Sequence, residues 1–183
     1  MNKKIYGLLI NNGIKIDEDL FYYGWSILIH YSVYFILTLI LSVCLNCFKL
    51  TIIFLLLYIL LRRYIGGFHF SNNVVCILFS TIISVVFPYL SLNLTVNFKV
   101  IIFLELFLLL ETILIAPVDH INKRLTITQI QIYKKKSILI EFIYICFTIM
   151  SHILFMNEII NILFFVILVN MISLSAAYVK KLF

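Results

Sequence analysis

Residues 62–76 read RRYIGGFHFSNNVVC, which sets His69 seven residues before Cys76. An imidazole beside a thiol is a base and a nucleophile for acyl transfer. Reach is the first difficulty. In one continuous helix the two would share a face but stand about 10.5 Å apart along the axis. Proton transfer needs about 2.6–3.2 Å between heavy atoms. The segment must therefore bend. Gly66 and Gly67 supply the backbone freedom to fold a loop back and deliver His69. Asn72 and Asn73 are helix-capping residue types. With Asn73 as the cap, Cys76 falls in the first helical turn, where the helix dipole favours thiolate. Asn72, Asn73 or free first-turn amides would then face a developing oxyanion.

Other candidates carry less. His120, in Asp119-His120, is a rival base. His30 and His152 lie inside apolar runs. Cys44-x-x-Cys47 has redox or zinc spacing, but Leu, Val and Phe surround it and no second pair follows. No metal-ligand cluster or cofactor motif is apparent. Asp119 is the candidate to orient His69, and Glu111 a weaker one.

The elements around these residues must be membrane helices. Of 183 residues, 64% are apolar and 12% charged, with a mean hydropathy of +1.15. Soluble domains run at about 45–50% apolar and about 25% charged. Too few polar residues remain to coat a water-facing surface. A soluble enzyme, a disordered tail and a disulfide-framed secreted domain are all disfavoured.

Crossing about 30 Å of hydrocarbon takes about 20 helical residues. The uncharged runs predict an all-α polytopic protein with six spans, at about 23–45, 48–61, 74–92, 100–118, 137–156 and 159–179. Residues 1–22 form an amphipathic N-terminal segment suited to the bilayer surface. Loops 62–73 and 119–136 join the spans, the whole being one membrane domain over residues 1–183. The N-terminal run lacks a cleavage site and is expected to stay as an anchor. With both ends in the cytoplasm, 12 of the 14 Lys and Arg residues face inward and only Lys49 and Lys99 face out. That is the positive-inside pattern. The +6 net charge is therefore read as topology, not as a nucleic-acid footprint. Loop 62–73 and the mouth of the third span then lie at the cytoplasmic face.

With these residues in hand, the chain resembles the accessory gene regulator B (AgrB) family. That family's signature is a basic pair, Gly-Gly-x-His, and Cys seven residues after the His. Here the matching residues are Arg62, Arg63, Gly66, Gly67, His69 and Cys76. A second match is LIAPVDHINKRLT, residues 114–126, with Arg124 where many members have Pro. The resemblance implies a membrane cysteine endopeptidase acting on an AgrD-like precursor peptide. Such an enzyme removes the peptide's C-terminal tail and holds the remainder as a thioester. An internal Cys or Ser of the peptide then closes a thiolactone or lactone, a quorum-sensing signal. By the motif, Cys76 is the nucleophile, His69 the base, and Arg62, Gly66 and Gly67 shape the site. Lys123, Arg124, Lys134, Lys135 and Lys136 could attract an acidic peptide tail, although orientation alone also explains these cations.

The rival class is a non-enzymatic transporter or channel-like protein. Intramembrane Glu105, Glu111, Glu141 and His152 would carry its ion path. Glu105 and Glu111, six residues apart, do not share one helix face. The expected partners are the bilayer and a precursor peptide, without nucleic acid. A homodimer is a natural way for so small a bundle to cover polar groups.

Overall fold

A computed structural model of the chain describes residues 2–14, 17–68, 70, 72–119 and 124–182. Seven helices follow in order: α1 (Asn2–Asn11), α2 (Glu18–Cys44), α3 (Phe48–Ile65), α4 (Asn73–Ser91), α5 (Phe98–Ile115), α6 (Ile127–Ile153) and α7 (Asn157–Leu182). Four of them, α2, α4, α6 and α7, are long and apolar enough to cross a membrane. The expected spans in α3 and α5 lie in helices of 18 residues that hold three charged residues each. The first carries Lys49, Arg62 and Arg63, and the second Lys99, Glu105 and Glu111.

Local signals explain where the helices differ from the hydropathy reading. α3 continues past residue 61 to Ile65, so Arg62 and Arg63 occupy its last turn and not a loop. Cations suit the negative end of the helix dipole. Gly66, at φ +82° and ψ −166°, stops it. Asn72, not Asn73, caps α4. α5 ends at Ile115, before Ala116 and Pro117, because a proline disfavours helical geometry in the residue before it. The expected loop 119–136 is the largest difference. Residues 127–136 are helical, so Lys134, Lys135 and Lys136 lie in α6. A reciprocal capping box starts that helix: the Thr126 hydroxyl accepts from the Gln129 amide, and the Gln129 side chain accepts from the Thr126 amide.

α7 is the centre of the bundle. It packs against α3, α4, α5 and α6, and Ile162, Leu163, Val166, Ile167 and Leu174 are buried along it. α2 leans on α4 and leaves Leu28, Tyr31, Ile36 and Ile40 exposed. Such a face is at home in lipid, not in water. Tyr6 of α1 sits 5.3 Å from Phe21, and Phe21 stacks on Trp25 at 6.1 Å. Aromatic clusters of this kind favour the bilayer interface.

Between apolar helices in lipid, polar contacts fix the register. Thr148 donates to Glu105 and Thr112 donates to Glu141, both at 2.5 Å. The two contacts form a reciprocal antiparallel clasp of α5 on α6, seven residues apart on each helix. Tyr34 bonds Ser84 between α2 and α4, and the Tyr144 hydroxyl donates to the Leu57 carbonyl of α3. Asn161 of α7 holds the turn after α4 by donating to the Ser91 and Leu94 carbonyls and accepting from the Val96 amide.

Candidate active site

The end of α3, the start of α4, the segment after α5 and the last third of α7 meet at one end of the bundle. Gly66 brings them together. Its φ and ψ fall in a region open essentially only to glycine. A Cβ there would lie 2.2 Å from the Val118 carbonyl oxygen. The Val118 amide in turn donates to the Ile65 carbonyl at 3.0 Å. The two sequence motifs, around Gly66-Gly67 and around Ala116–Asp119, are thus in backbone contact.

Gly67 is a second close approach. A Cβ on it would meet Arg62 Nη1 at 2.4 Å and Ser173 Oγ at 2.7 Å. Through this gap Arg62 Nη1 donates to Ser173 Oγ. Arg62 Nη2 donates to the Phe68 carbonyl at 2.6 Å. The Phe68 amide donates to both the carbonyl and the hydroxyl oxygen of Ser173, each at 3.1 Å. Phe68 is thereby held at both of its backbone polar groups. On the other side of position 69, the Phe70 ring packs 5.0 Å from Phe68 and 5.1 Å from Phe79 of α4. Phe79 stands three residues beyond Cys76, about 4.5 Å along the helix.

Cys76 is half-buried, one turn into α4, and its amide donates to the Asn72 carbonyl at 3.0 Å. The Asn72 side chain accepts from the Val74 and Val75 amides at 2.9 and 3.4 Å. Those first-turn donors are thus committed to the cap, and so is the Asn72 carbonyl oxygen of the side chain. Asn73 is exposed at the first position of the helix. His69 lies outside the described residues, as do the rival base His120 and the tail-binding candidate Lys123.

Asp119 lies against the end of α7. Its carboxylate bonds Lys181 at 2.5 Å. That hydrogen bond holds its carboxyl below the ordinary range, against a small desolvation that raises it. Glu111 accepts from Ser175 of α7 at 2.5 Å. The pair lines a groove of about 680 Å³ with Phe68, Phe107, Met171 and Lys180. The Lys180 ammonium lies 4.9 Å from the centre of the Phe68 ring.

The cations expected to bind a tail divide. Lys136 and Arg63 lie over the Tyr64 ring at 5.4 and 5.8 Å, and Tyr64 meets Tyr133 edge-on. Lys134 is half-buried and Lys135 exposed in the first turns of α6. Arg124 is exposed and close enough to Asp119 to stabilise its charge. Among the described residues, no group of three or more His, Cys, Asp or Glu could hold a metal ion. Cys47 is buried and within 3.6 Å of the Thr51 hydroxyl, while Cys44 is exposed.

Sequence reasoning did not single out Ser173, Ser175, Lys180 or Lys181 as site residues. The lysines entered only as topology signals. Nothing in the local sequence marks the two serines, whose partners are 64 to 111 residues away.

The profile of the family described as Accessory gene regulator B matches residues 2–174. An Accessory gene regulator protein B of Staphylococcus epidermidis is 31% identical over 170 residues, 92% of this chain and 77% of that protein. A Putative AgrB-like protein 2 of Clostridium perfringens is 32% identical over 149 residues, 77% of this chain and 70% of that protein. An Accessory gene regulator protein B of Staphylococcus aureus is 24% identical over 129 residues, covering 70% and 69%. No solved structure matches the chain. The motif pair that meets at Gly66 and Val118 thus sits in a chain matched along nearly all its length, and the protein belongs to the accessory gene regulator B family.

Proposed function

We propose that the chain is a membrane cysteine endopeptidase that cuts a short AgrD-like precursor peptide and hands its acyl group on to form a ring. The observation that carries this reading is the double tether around position 69. Phe68 is tied to Arg62 and Ser173, and Phe70 to Phe79, on the helix that bears Cys76. A tethered loop leading into a helix start supports a base and a nucleophile with fixed mutual geometry.

His69 takes the Cys76 thiol proton, and the thiolate adds to the carbonyl carbon of the scissile peptide bond. The C–N bond then breaks, and the amine of the C-terminal tail leaves with the proton from His69. The retained part remains as a thioester on Cys76. An internal thiol or hydroxyl of that part attacks the same carbonyl, and the Cys76 sulfur leaves and regains a proton. Thioester-to-thioester exchange is nearly balanced in energy, so water must be limited during the transfer. The packed rings of Phe68, Phe70 and Phe79 supply apolar surface near the start of the helix that bears Cys76.

In this reading α3 and α5 also cross the bacterial cell membrane, making six spans with both ends and the site in the cytoplasm. Lys134–Lys136 and Arg124 attract an acidic peptide tail. Glu105 and Glu141, which a transporter would use for an ion path, are each bonded to a threonine of the neighbouring helix.

The test is reconstitution in liposomes with a synthetic peptide of a few dozen residues that carries an internal Cys or Ser and an acidic C-terminal tail. Cleavage is expected to vanish in Cys76→Ala and His69→Ala, and a thiol-labile peptide adduct to appear on Cys76. Cleavage that survives both substitutions overturns the reading.

A further inference from the structure

We infer that Ser173, on the central helix α7, is a positioning residue for this chemistry, acting on the His69 loop through Arg62 and the Phe68 amide. The inference rests on the cysteine-peptidase reading above. Serine inside a helix commonly turns its hydroxyl to its own backbone four residues back. Ser173 is used differently. Its hydroxyl oxygen accepts from Arg62 Nη1 and from the Phe68 amide, and its carbonyl accepts from that same amide. Arg62 closes the circuit by donating to the Phe68 carbonyl. Three residues from α3, the loop and α7 therefore fix the peptide unit that leads into residue 69.

The bare Cα of Gly67 is what allows the circuit to close, since any Cβ would enter it. Arg62 and Gly67 belong to the motif in the loop sequence, whereas Ser173 comes from 105 residues beyond Phe68. Ser173 bonds Arg62 and the Phe68 amide and is not among the residues that line the groove beside Phe68. Its effect must pass through the position of the loop. A misplacement of about 1 Å at a reacting group costs about 100-fold in rate.

The experiment uses the full chain in nanodiscs, with Cys44, Cys47 and Cys146 replaced by Ser so that iodoacetamide reports on Cys76 alone. Ser173→Ala is expected to lower kcat for the precursor peptide about 10- to 100-fold with KM kept within about twofold. Cys76 alkylation at neutral pH should slow about tenfold, with the unfolding temperature little changed. Gly67→Ala, which drives the same groups apart, should do likewise. Arg62→Lys combined with Ser173→Ala should cost less than the two single effects added, because the Arg62–Ser173 contact is shared and cannot be lost twice. If Ser173→Ala does not fold, Gly67→Ala and Arg62→Lys decide. Wild-type kcat in Ser173→Ala overturns the inference, and so does a raised KM at unchanged kcat or an additive double variant. Either result in a protein whose Cys76→Ala form is inactive leaves the peptidase reading standing. Cleavage by Cys76→Ala overturns that reading itself, and the role of Ser173 with it.

Discussion

Replacing Gly66 by alanine tests the junction of the two motifs most severely. The new Cβ would sit 2.2 Å from the Val118 carbonyl oxygen and 3.2 Å from its carbon. Ordinary contacts begin near 3.4 Å, so one backbone must retreat by about 1 Å. Neither partner is a side-chain tip that can swing aside. The backbone angles of Gly66 add about 1–3 kcal/mol of strain for any other residue. Retreat of Val118 also breaks its hydrogen bond to the Ile65 carbonyl, a further loss of about 1 kcal/mol. The total is about 2–4 kcal/mol, concentrated at one end of the bundle. Thermal unfolding in detergent should show a lowered midpoint, and peptide cleavage should fall at least 100-fold. Gly67→Ala provides the contrast. Its Cβ meets the tip of Arg62 and the Ser173 hydroxyl, which can adapt, so its midpoint should stay near wild type while its activity falls. A Gly66→Ala protein with wild-type midpoint and activity would refute the reasoning.

The Asp119–Lys181 pair makes a prediction with a definite sign. The Asp119 carboxyl is held below its ordinary value, so its stabilisation is fully present above about pH 4 and lost as pH falls through the folded-state value. The pair is a surface contact, with Asp119 24% and Lys181 56% exposed, so about 1 kcal/mol or less is at stake. Asp119→Asn should lower the unfolding midpoint slightly at pH 7 and by progressively less as pH falls below the ordinary carboxyl range; a difference that does not shrink on acidification would contradict this. Thr112→Val and Thr148→Val each remove one contact of the α5–α6 clasp. Each should destabilise the bundle by about 0.6–1.7 kcal/mol in denaturant titrations. Both should leave peptide kcat unchanged, and a large loss of kcat would tie the clasp to the chemistry. Replacing Lys134, Lys135 and Lys136 together by Ala should raise KM for an acid-tailed peptide about tenfold, at about 0.5 kcal/mol per exposed contact. The effect should shrink in high salt. A salt-independent change, or none, would reduce these lysines to topology.

The helices were legible because lipid makes apolar runs easy to read, and because turns between them carry asparagine, glycine and proline. The loop chemistry was legible for a different reason. Gly66 and Gly67 are glycine because backbone and side-chain atoms approach them within 3 Å, a constraint that leaves a mark in the sequence itself. The extension of α6 was also open to reading, since Thr126-x-x-Gln129 is a capping box, but the lysine run drew that stretch into a loop. Asn72 and Asn73 were equally good caps by type, and only backbone geometry separates them. Ser173, Ser175 and Lys181 were beyond reach. Serine and lysine are ordinary in a helix, and their roles come from partners far along the chain. Asp119 shows that gap, because topology alone placed it on the surface of His69 and could not show its bond to Lys181.

The central place of α7 also bears on how the protein is made. A nascent chain leaves the ribosome at about 5–20 residues per second. The contact between Arg62 and Ser173 spans 111 residues, so the loop around position 69 waits several seconds or more for its anchor. Until then the core that α7 supplies and the tether that holds Phe68 are both missing. The cysteine of a half-synthesised chain is therefore not yet part of an assembled site. Completion of the helical bundle and assembly of its candidate active site become a single event that follows synthesis of α7.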